Sequence, residues 1–202
     1  MIKLIVGLGN PGVDYERTRH NAGSNFVLAL AQSKNVELKH ERKFLGSTGM
    51  LCIGNNKIRL LNPSTFMNRS GQSVSALARY YRISPAQILI AHDELDLRAG
   101  TARFKIGGGH GGHNGVRDVI EKLSNDGSFV RLRIGIDHPG AANQVTNYVL
   151  QKPPSQQQTL IKNSIDNAIK WLHLMIQGDR EKAITGLHSE KNTLNQGCED
   201  GL

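Results

Sequence analysis

One histidine stands apart by its surroundings. His20 lies in the polar stretch Tyr15-Glu16-Arg17-Thr18-Arg19-His20-Asn21-Ala22-Gly23, after the apolar run Ile2-Lys3-Leu4-Ile5-Val6. A helical pattern starts only at Asn21, so His20 sits just past the end of a strand. Open α/β sheets place their sites there. An imidazole near its ordinary pKa is the natural general base at neutral pH. An adjacent carboxylate would hold its tautomer and stabilise the imidazolium. Asp93 is the candidate, in His92-Asp93-Glu94-Leu95-Asp96 beyond a second apolar run, residues 88–91. The three carboxylates of that stretch could instead bind a metal or simply be solvated.

Three asparagines, Asn10, Asn68 and Asn114, also lie in loops joined to a strand or helix end. No serine has a G-x-S-x-G context, and neither cysteine lies beside these motifs. A hydrolase built from these parts lacks a protein nucleophile, so water must attack directly. Neutral amides suit a substrate carrying peptide groups, since each offers a donor and an acceptor. They can also donate to an oxyanion without adding charge.

Two rival readings use the same residues. A metallohydrolase could take His110, His113, Asp93 and Glu94 as ligands. Two histidines on a glycine-rich loop are poorly preorganised, however, and no H-E-x-x-H is present. An RNA-binding module would explain the charge but leaves His20 and Asp93 idle.

The elements that must position these groups follow from pattern. Residues 2–6 read as a buried strand. The turn after it, Gly7-Leu8-Gly9-Asn10-Pro11-Gly12, fits G-x-G-x-x-G. Pro11 removes an N–H from that loop and polar residues follow where a helix should open, both against a dinucleotide site with Glu37 as its ribose acid. Residues 21–33 predict a short amphipathic helix on Phe26, Val27 and Leu30. Residues 44–53 and 57–61 predict a hairpin around Gly54-Asn55-Asn56. The loop Asn62 to Gly71 then opens a helix carrying Val74, Leu77, Ala78 and Tyr81, and Asn68 would otherwise be read as its cap.

Residues 88–91, 100–106 and 131–136 read as further strands. Between the last two comes Gly107-Gly108-Gly109-His110-Gly111-Gly112-His113-Asn114-Gly115, with six glycines in that stretch. Backbone can approach a ligand closely there. The helix that follows would aim its free N–H groups at whatever binds the loop. Pro153-Pro154 precedes a long helix with Ile161, Ile165, Ala168, Leu172 and Met175 on one face, where Trp171 packs. Residues 189–202 are expected to form a flexible polar tail after a domain spanning residues 1–188. Interleaved strands and helices with one hairpin predict a single α/β domain, a twisted mixed sheet flanked by helices.

The formal charge of +8 over 202 residues points to a polyanionic partner. Basic residues recur inside strands, at Arg103 and Lys105 and at Arg131 and Arg133, and alternate residues share a face. The few aromatics argue against a stacking platform for single strands. Cys52 and Cys198 form no disulfide framework and no paired zinc signature, which fits a reducing cytosol. A strand entered at Ile2 leaves no secretion signal, and no apolar run approaches bilayer length.

Tyr15-x-x-Thr18-Arg19-His20-Asn21-x-Gly23 and Gly109-x-x-x-His113-Asn114-Gly115-Val116-Arg117-Asp118 resemble the two signature motifs of bacterial-type peptidyl-tRNA hydrolases. Supporting likeness lies in Gly7-Leu8-Gly9-Asn10-Pro11-Gly12, Pro63-x-Thr65-Phe66-Met67-Asn68-x-Ser70-Gly71 and His92-Asp93-Glu94-Leu95-Asp96. The resemblance implies hydrolysis of the ester between a peptide and the 3′ ribose of tRNA, recycling tRNA from peptides dropped by stalled ribosomes. It assigns His20 as the base, Asp93 as the group that keeps His20 basic, and Asn10 as the discriminator of blocked from free aminoacyl ends. It places Tyr15, Phe66, Met67, Asn68, Gly111 and Asn114 among substrate contacts and Lys105 and Arg133 against tRNA phosphates. It implies a monomer in the cytoplasm that needs no metal or cofactor.

Overall fold

The computed structural model describes residues 1–190. Its elements are β1 (Leu4–Gly7), α1 (Ala22–Ser33), β2 (Lys39–Glu41), β3 (Gly46–Ile53), β4 (Asn56–Pro63), α2 (Ser70–Tyr80), β5 (Ile88–Glu94), β6 (Ala102–Ile106), α3 (Asn114–Lys122), β7 (Val130–Gly135), α4 (Val145–Val149), α5 (Ser155–Gln177) and α6 (Arg180–Ser189). The seven strands form one sheet in the order β2-β3-β4-β1-β5-β7-β6. β4, β1, β5 and β7 run parallel, while β2 and β3 on one side and β6 on the other pair antiparallel. The expected mixed sheet is therefore present, in one domain.

The buried strands sort their side chains by alternation. Ile5, Leu89, Ala91, Leu132 and Ile134 join α1, α5 and α6 in one core. Leu4, Val6, Ile88 and Ile90 join α2 and α3 in the other. Helices thus cover both faces, as the apolar runs of β1 and β5 require. The chain leaves β1 toward one face and the neighbouring β4 toward the other, which opens a crevice at the C-terminal ends of β4 and β1, beside the end of β5.

Two glycines make that crevice narrow. A Cβ on Gly7 would lie 2.2 Å from the Gly23 carbonyl oxygen, and one on Gly23 would lie 2.1 Å from the Ala91 oxygen. Only glycine lets α1 start directly against β1 and β5. Leu8 N–H donates to Ala91 O at 3.0 Å and Ser24 N–H to Leu8 O at 2.8 Å, which locks the approach. The Gly7-x-Gly9 pair of the fingerprint therefore serves helix packing, and the loop through the positive-φ Gly12 opens no helix for a pyrophosphate.

Three expectations need correction. Phe44 belongs to a 3-10 turn, Arg42–Phe44, and β3 begins at Gly46. Ser189 closes α6 and opens no tail, with Leu187 at 3 % exposure packed in the core; residues 191–202 of the expected tail lie outside the described residues. The Gly115 and Val116 N–H groups at the start of α3 are not free for a ligand, because His113 Nδ1 accepts both, at 3.1 and 3.3 Å. Trp171 packs as expected: a Cβ on Gly186 of α6 would lie 2.4 Å from its ring, and its Nε1 donates to Glu190 at 2.8 Å.

Candidate active site

The crevice holds a cleft of about 860 Å³ lined by Asn10, His20, Phe66, Met67, Asn68, Asp93, Gly111, His113 and Asn114. A 3-10 turn, Arg19–Asn21, places His20 against the end of β5, with Thr18 tied back to Tyr15 O at 2.8 Å. His20 Nδ1 lies 2.9 and 3.0 Å from the two oxygens of Asp93. Nδ1–H therefore donates to the carboxylate, and Nε2, which has no protein partner among the described residues, carries the lone pair into the cleft.

Burial alone would lower the pKa of His20. The charge of Asp93 and its hydrogen bond outweigh that and hold the imidazole above its ordinary value. Burial pushes the Asp93 carboxyl up, but the imidazoles of His20 and His113 outweigh it and hold the group well below the usual carboxylate range. Asp93 is 4 % exposed, so its charge is felt at low dielectric.

His113 is the second partner of this carboxylate, with Nε2 at 2.9 Å from Oδ1. Its Nδ1 caps α3, so Nε2 must carry the proton, and Asp93 receives one N–H from each ring. Sequence reasoning weighed His113 only as a metal ligand. The signal for its real place was its position immediately before a helix start, where a side-chain acceptor satisfies free N–H groups. His92 behaves differently. Its Nδ1 donates to Asp93 O at 2.7 Å, its Nε2 is buried without a partner, and burial, with a smaller contribution from His113, pushes its pKa down to about 3.

Ligand atoms of His20, Asp93 and His113 lie within 4.8 Å of one another, a spacing a metal could use. Both imidazole N–H groups instead bond the same carboxylate, which would have to give them up. The other ligands considered from sequence do not converge. Glu94 pairs with Arg133 at 2.8 Å, and His110 Nδ1 accepts from Gly112 N–H at 3.0 Å.

Asn10 is held from three directions. Asn21 Oδ1 accepts from its backbone N–H at 2.8 Å, Asn21 Nδ2 donates to its carbonyl at 2.9 Å, and Met67 N–H donates to its Oδ1 at 2.8 Å. Asn68 and Asn114 are exposed in the cleft, and Asn68 caps no helix. Phe66 lines the cleft at 56 % exposure. Tyr15 lies outside the lining and packs edge-on against Phe66, with ring centroids 6.4 Å apart. The far wall is α4, through Val145, Thr146 and Val149, an element that sequence reasoning missed.

Lys105 and Arg133 stand away from the cleft, on β6 and β7. Register sets Lys105 opposite Arg131 and Arg103 opposite Arg133, so the four share one face. Three are engaged: Arg131 with the carbonyls of Gly108 and Gly109, Arg133 with Glu94, and Arg103 with His188 O at 2.7 Å. Lys105 is exposed and has no salt-bridge partner among the described residues.

The sequence and the mixed sheet both have counterparts in known proteins. Residues 4–195 match the family described as peptidyl-tRNA hydrolase. The chain belongs to the peptidyl-tRNA hydrolase family. A peptidyl-tRNA hydrolase from Psychromonas ingrahamii is 57 % identical over 190 residues, covering 94 % of this chain and 96 % of that one. One from Sodalis glossinidius is 54 % identical over 188 residues, covering 93 % and 97 %. The crystal structure of peptidyl-tRNA hydrolase from Acinetobacter baumannii superposes with a TM-score of 0.91 at 49 % identity, covering 94 % of this chain and 96 % of that one. No helix among the described residues is long and apolar enough to cross a membrane.

Proposed function

We propose that this chain hydrolyses the ester joining a peptide, or an N-blocked aminoacyl group, to the 3′ ribose of tRNA. The observation that carries the reading is His20 bonded through Nδ1 to the buried Asp93, with Nε2 left toward the cleft. Nε2 takes a proton from water as the water oxygen attacks the ester carbonyl. The resulting oxyanion accepts amide N–H groups from the cleft. Collapse expels the ribose 3′ oxygen, to which the His20 imidazolium returns the proton. A general base supplies about 10²–10⁴ in rate, and one oxyanion donor about 10²–10³. An ester is activated enough for these to suffice without a covalent intermediate.

Substrate recognition divides by chemistry. Asn10, Asn68 and Asn114 present amides to the peptide, with Met67, Gly111 and Phe66 shaping the cleft and Tyr15 supporting Phe66. Lys105 meets a tRNA phosphate as an exposed cation. Arg133 contributes less, since Glu94 already neutralises it. The protein works as a cytoplasmic monomer that returns tRNA from prematurely released peptidyl-tRNA, without a metal.

The test is release from N-acetyl-aminoacyl-tRNA beside the same aminoacyl-tRNA with a free amine, with EDTA present. Fast release from the blocked substrate alone is expected. Tight tRNA binding with no release from either would leave an RNA-binding module and remove the roles given to His20 and Asp93.

A further inference from the structure

Asn21 is 3 % exposed and neighbours His20, yet no step above uses its side chain. Its two amide atoms are both directed at the backbone of Asn10, accepting the N–H at 2.8 Å and donating to the carbonyl at 2.9 Å. The pair reproduces across eleven residues the two-point bonding of an antiparallel strand pair. Gly9 lets Asn21 come this close: a Cβ there would lie 3.1 Å from Asn21 Cγ and 2.7 Å from the Ser24 Cβ.

The clamp has a chemical consequence at the other end of Asn10. With its backbone pinned, the Asn10 side chain meets Met67 N–H, which donates to Oδ1 at 2.8 Å. A flipped amide would set NH2 against N–H, so the orientation is forced. Oδ1 is thereby occupied, and Asn10 offers only the N–H groups of Nδ2, which have no protein partner among the described residues. A donor-only group suits the carbonyl of an N-acyl substituent. Against a free aminoacyl end it meets an ammonium, which has three donors and no acceptor.

We propose that Asn21 is the positioning residue that sets this discrimination, by holding Asn10 where Met67 makes it donor-only. The inference rests on the reading of Asn10 as the group facing the blocked amine. Releasing the clamp lets the Asn10 amide rotate and present its oxygen, so preference for the blocked substrate falls while the His20–Asp93 pair still turns over both substrates.

The experiment is a double-mutant cycle on Asn10→Ala and Asn21→Ala. The readout is the ratio of kcat/KM for N-acetyl-aminoacyl-tRNA to that for aminoacyl-tRNA. Loss of the two clamp bonds is expected to lower the ratio about tenfold or more. In the Asn10→Ala background, Asn21→Ala should change it less than about twofold, because the residue it acts through is gone. A ratio unchanged by Asn21→Ala but lowered by Asn10→Ala overturns the inference and leaves the role of Asn10 standing. A ratio unchanged by Asn10→Ala removes the reading beneath it. Additive losses show that Asn21 acts by another route and also overturn it. If the alanine variant does not fold, Asn21→Ser, which shortens the reach but keeps a polar atom in the site, is read in the same way.

Discussion

Replacing Asp93 by asparagine tests the reading at its centre. The carboxylate accepts from His20 Nδ1 at 2.9 Å and from His113 Nε2 at 2.9 Å, in a site where it is 4 % exposed. At that distance a charge pair is worth about 6 kcal/mol at an effective dielectric of about 20. The imidazolium forms only as water is deprotonated, so the whole of that attraction acts on the transition state. At 1.36 kcal/mol per tenfold, kcat should fall by about 10⁴. The amide introduced by Asp93→Asn would also turn either its oxygen or its NH2 toward His20, and the second choice places the imidazole in the wrong tautomer.

The pH profile carries an independent sign. Burial lowers the His20 pKa and only Asp93 raises it. With the carboxylate gone the lowering cause remains. The acid limb of kcat/KM, expected above the ordinary histidine value of 6.5 in the parent protein, should move below it. The assay is release of N-acetyl-aminoacyl groups from tRNA over the pH range, under single-turnover conditions so that product release does not mask chemistry. A loss under tenfold, or a limb that stays in place, would refute the argument that Asp93 acts through the charge of His20.

His20→Ala should lose nearly all kcat and keep tRNA binding; activity within tenfold of the parent would sink the base assignment. Lys105→Ala should raise KM and reduce the salt slope of binding by about one, more than Arg133→Ala does, since Glu94 already holds Arg133. Equal effects would show that the Glu94 pair opens when tRNA binds. His92→Asn keeps a donor for Asp93 O and removes a buried base whose pKa lies at about 3. It should flatten the loss of stability on acidification between pH 6.5 and that value, on the order of 1 kcal/mol per pH unit, as read from thermal melts. EDTA should leave activity intact, and a loss restored by zinc would revive a metal at His20, Asp93 and His113.

The parallel core was legible because β1 and the start of β5 are apolar runs bounded by turns, while β7 alternates Val130, Leu132 and Ile134 with Arg131 and Arg133. β2 was not: Lys39-His40-Glu41 is an exposed three-residue edge strand with no apolar face, formed only because β3 offers it a partner. α4 is too short to show a period. α6 contains Gly186, a poor helix former, and the reason for it is the Trp171 ring packed against it from α5. At the site, His20, Asp93 and the three asparagines could be named because each stands at an element end in a polar motif. What those residues bond to could not. That Glu94 meets Arg133 follows from the parallel pairing of β5 with β7, and that His113 shares Asp93 with His20 follows from where the glycine loop returns. Neither contact has a local signature.

The pair at the centre also makes the protein's stability and its activity run against each other with pH. Because the folded-state pKa of His20 is raised, its protonated form binds Asp93 better than in the unfolded chain. That contribution is fully present below about pH 6.5 and is lost as pH rises through the raised folded value. Catalysis needs the neutral imidazole and so appears over the same interval in which the contribution disappears. His92 has the opposite sign, since its folded-state pKa is depressed and its contribution is lost on acidification. Asp93 likewise contributes above its ordinary value of 3.8 and loses this as pH falls through its lowered folded value. The working form of the site is therefore the one in which His20 has given up its charge and Asp93 keeps its own, leaving a buried anion that accepts one N–H from each of the two rings. Two such donors satisfy the carboxylate without neutralising it, and that residual charge is what draws the proton onto His20 when water attacks.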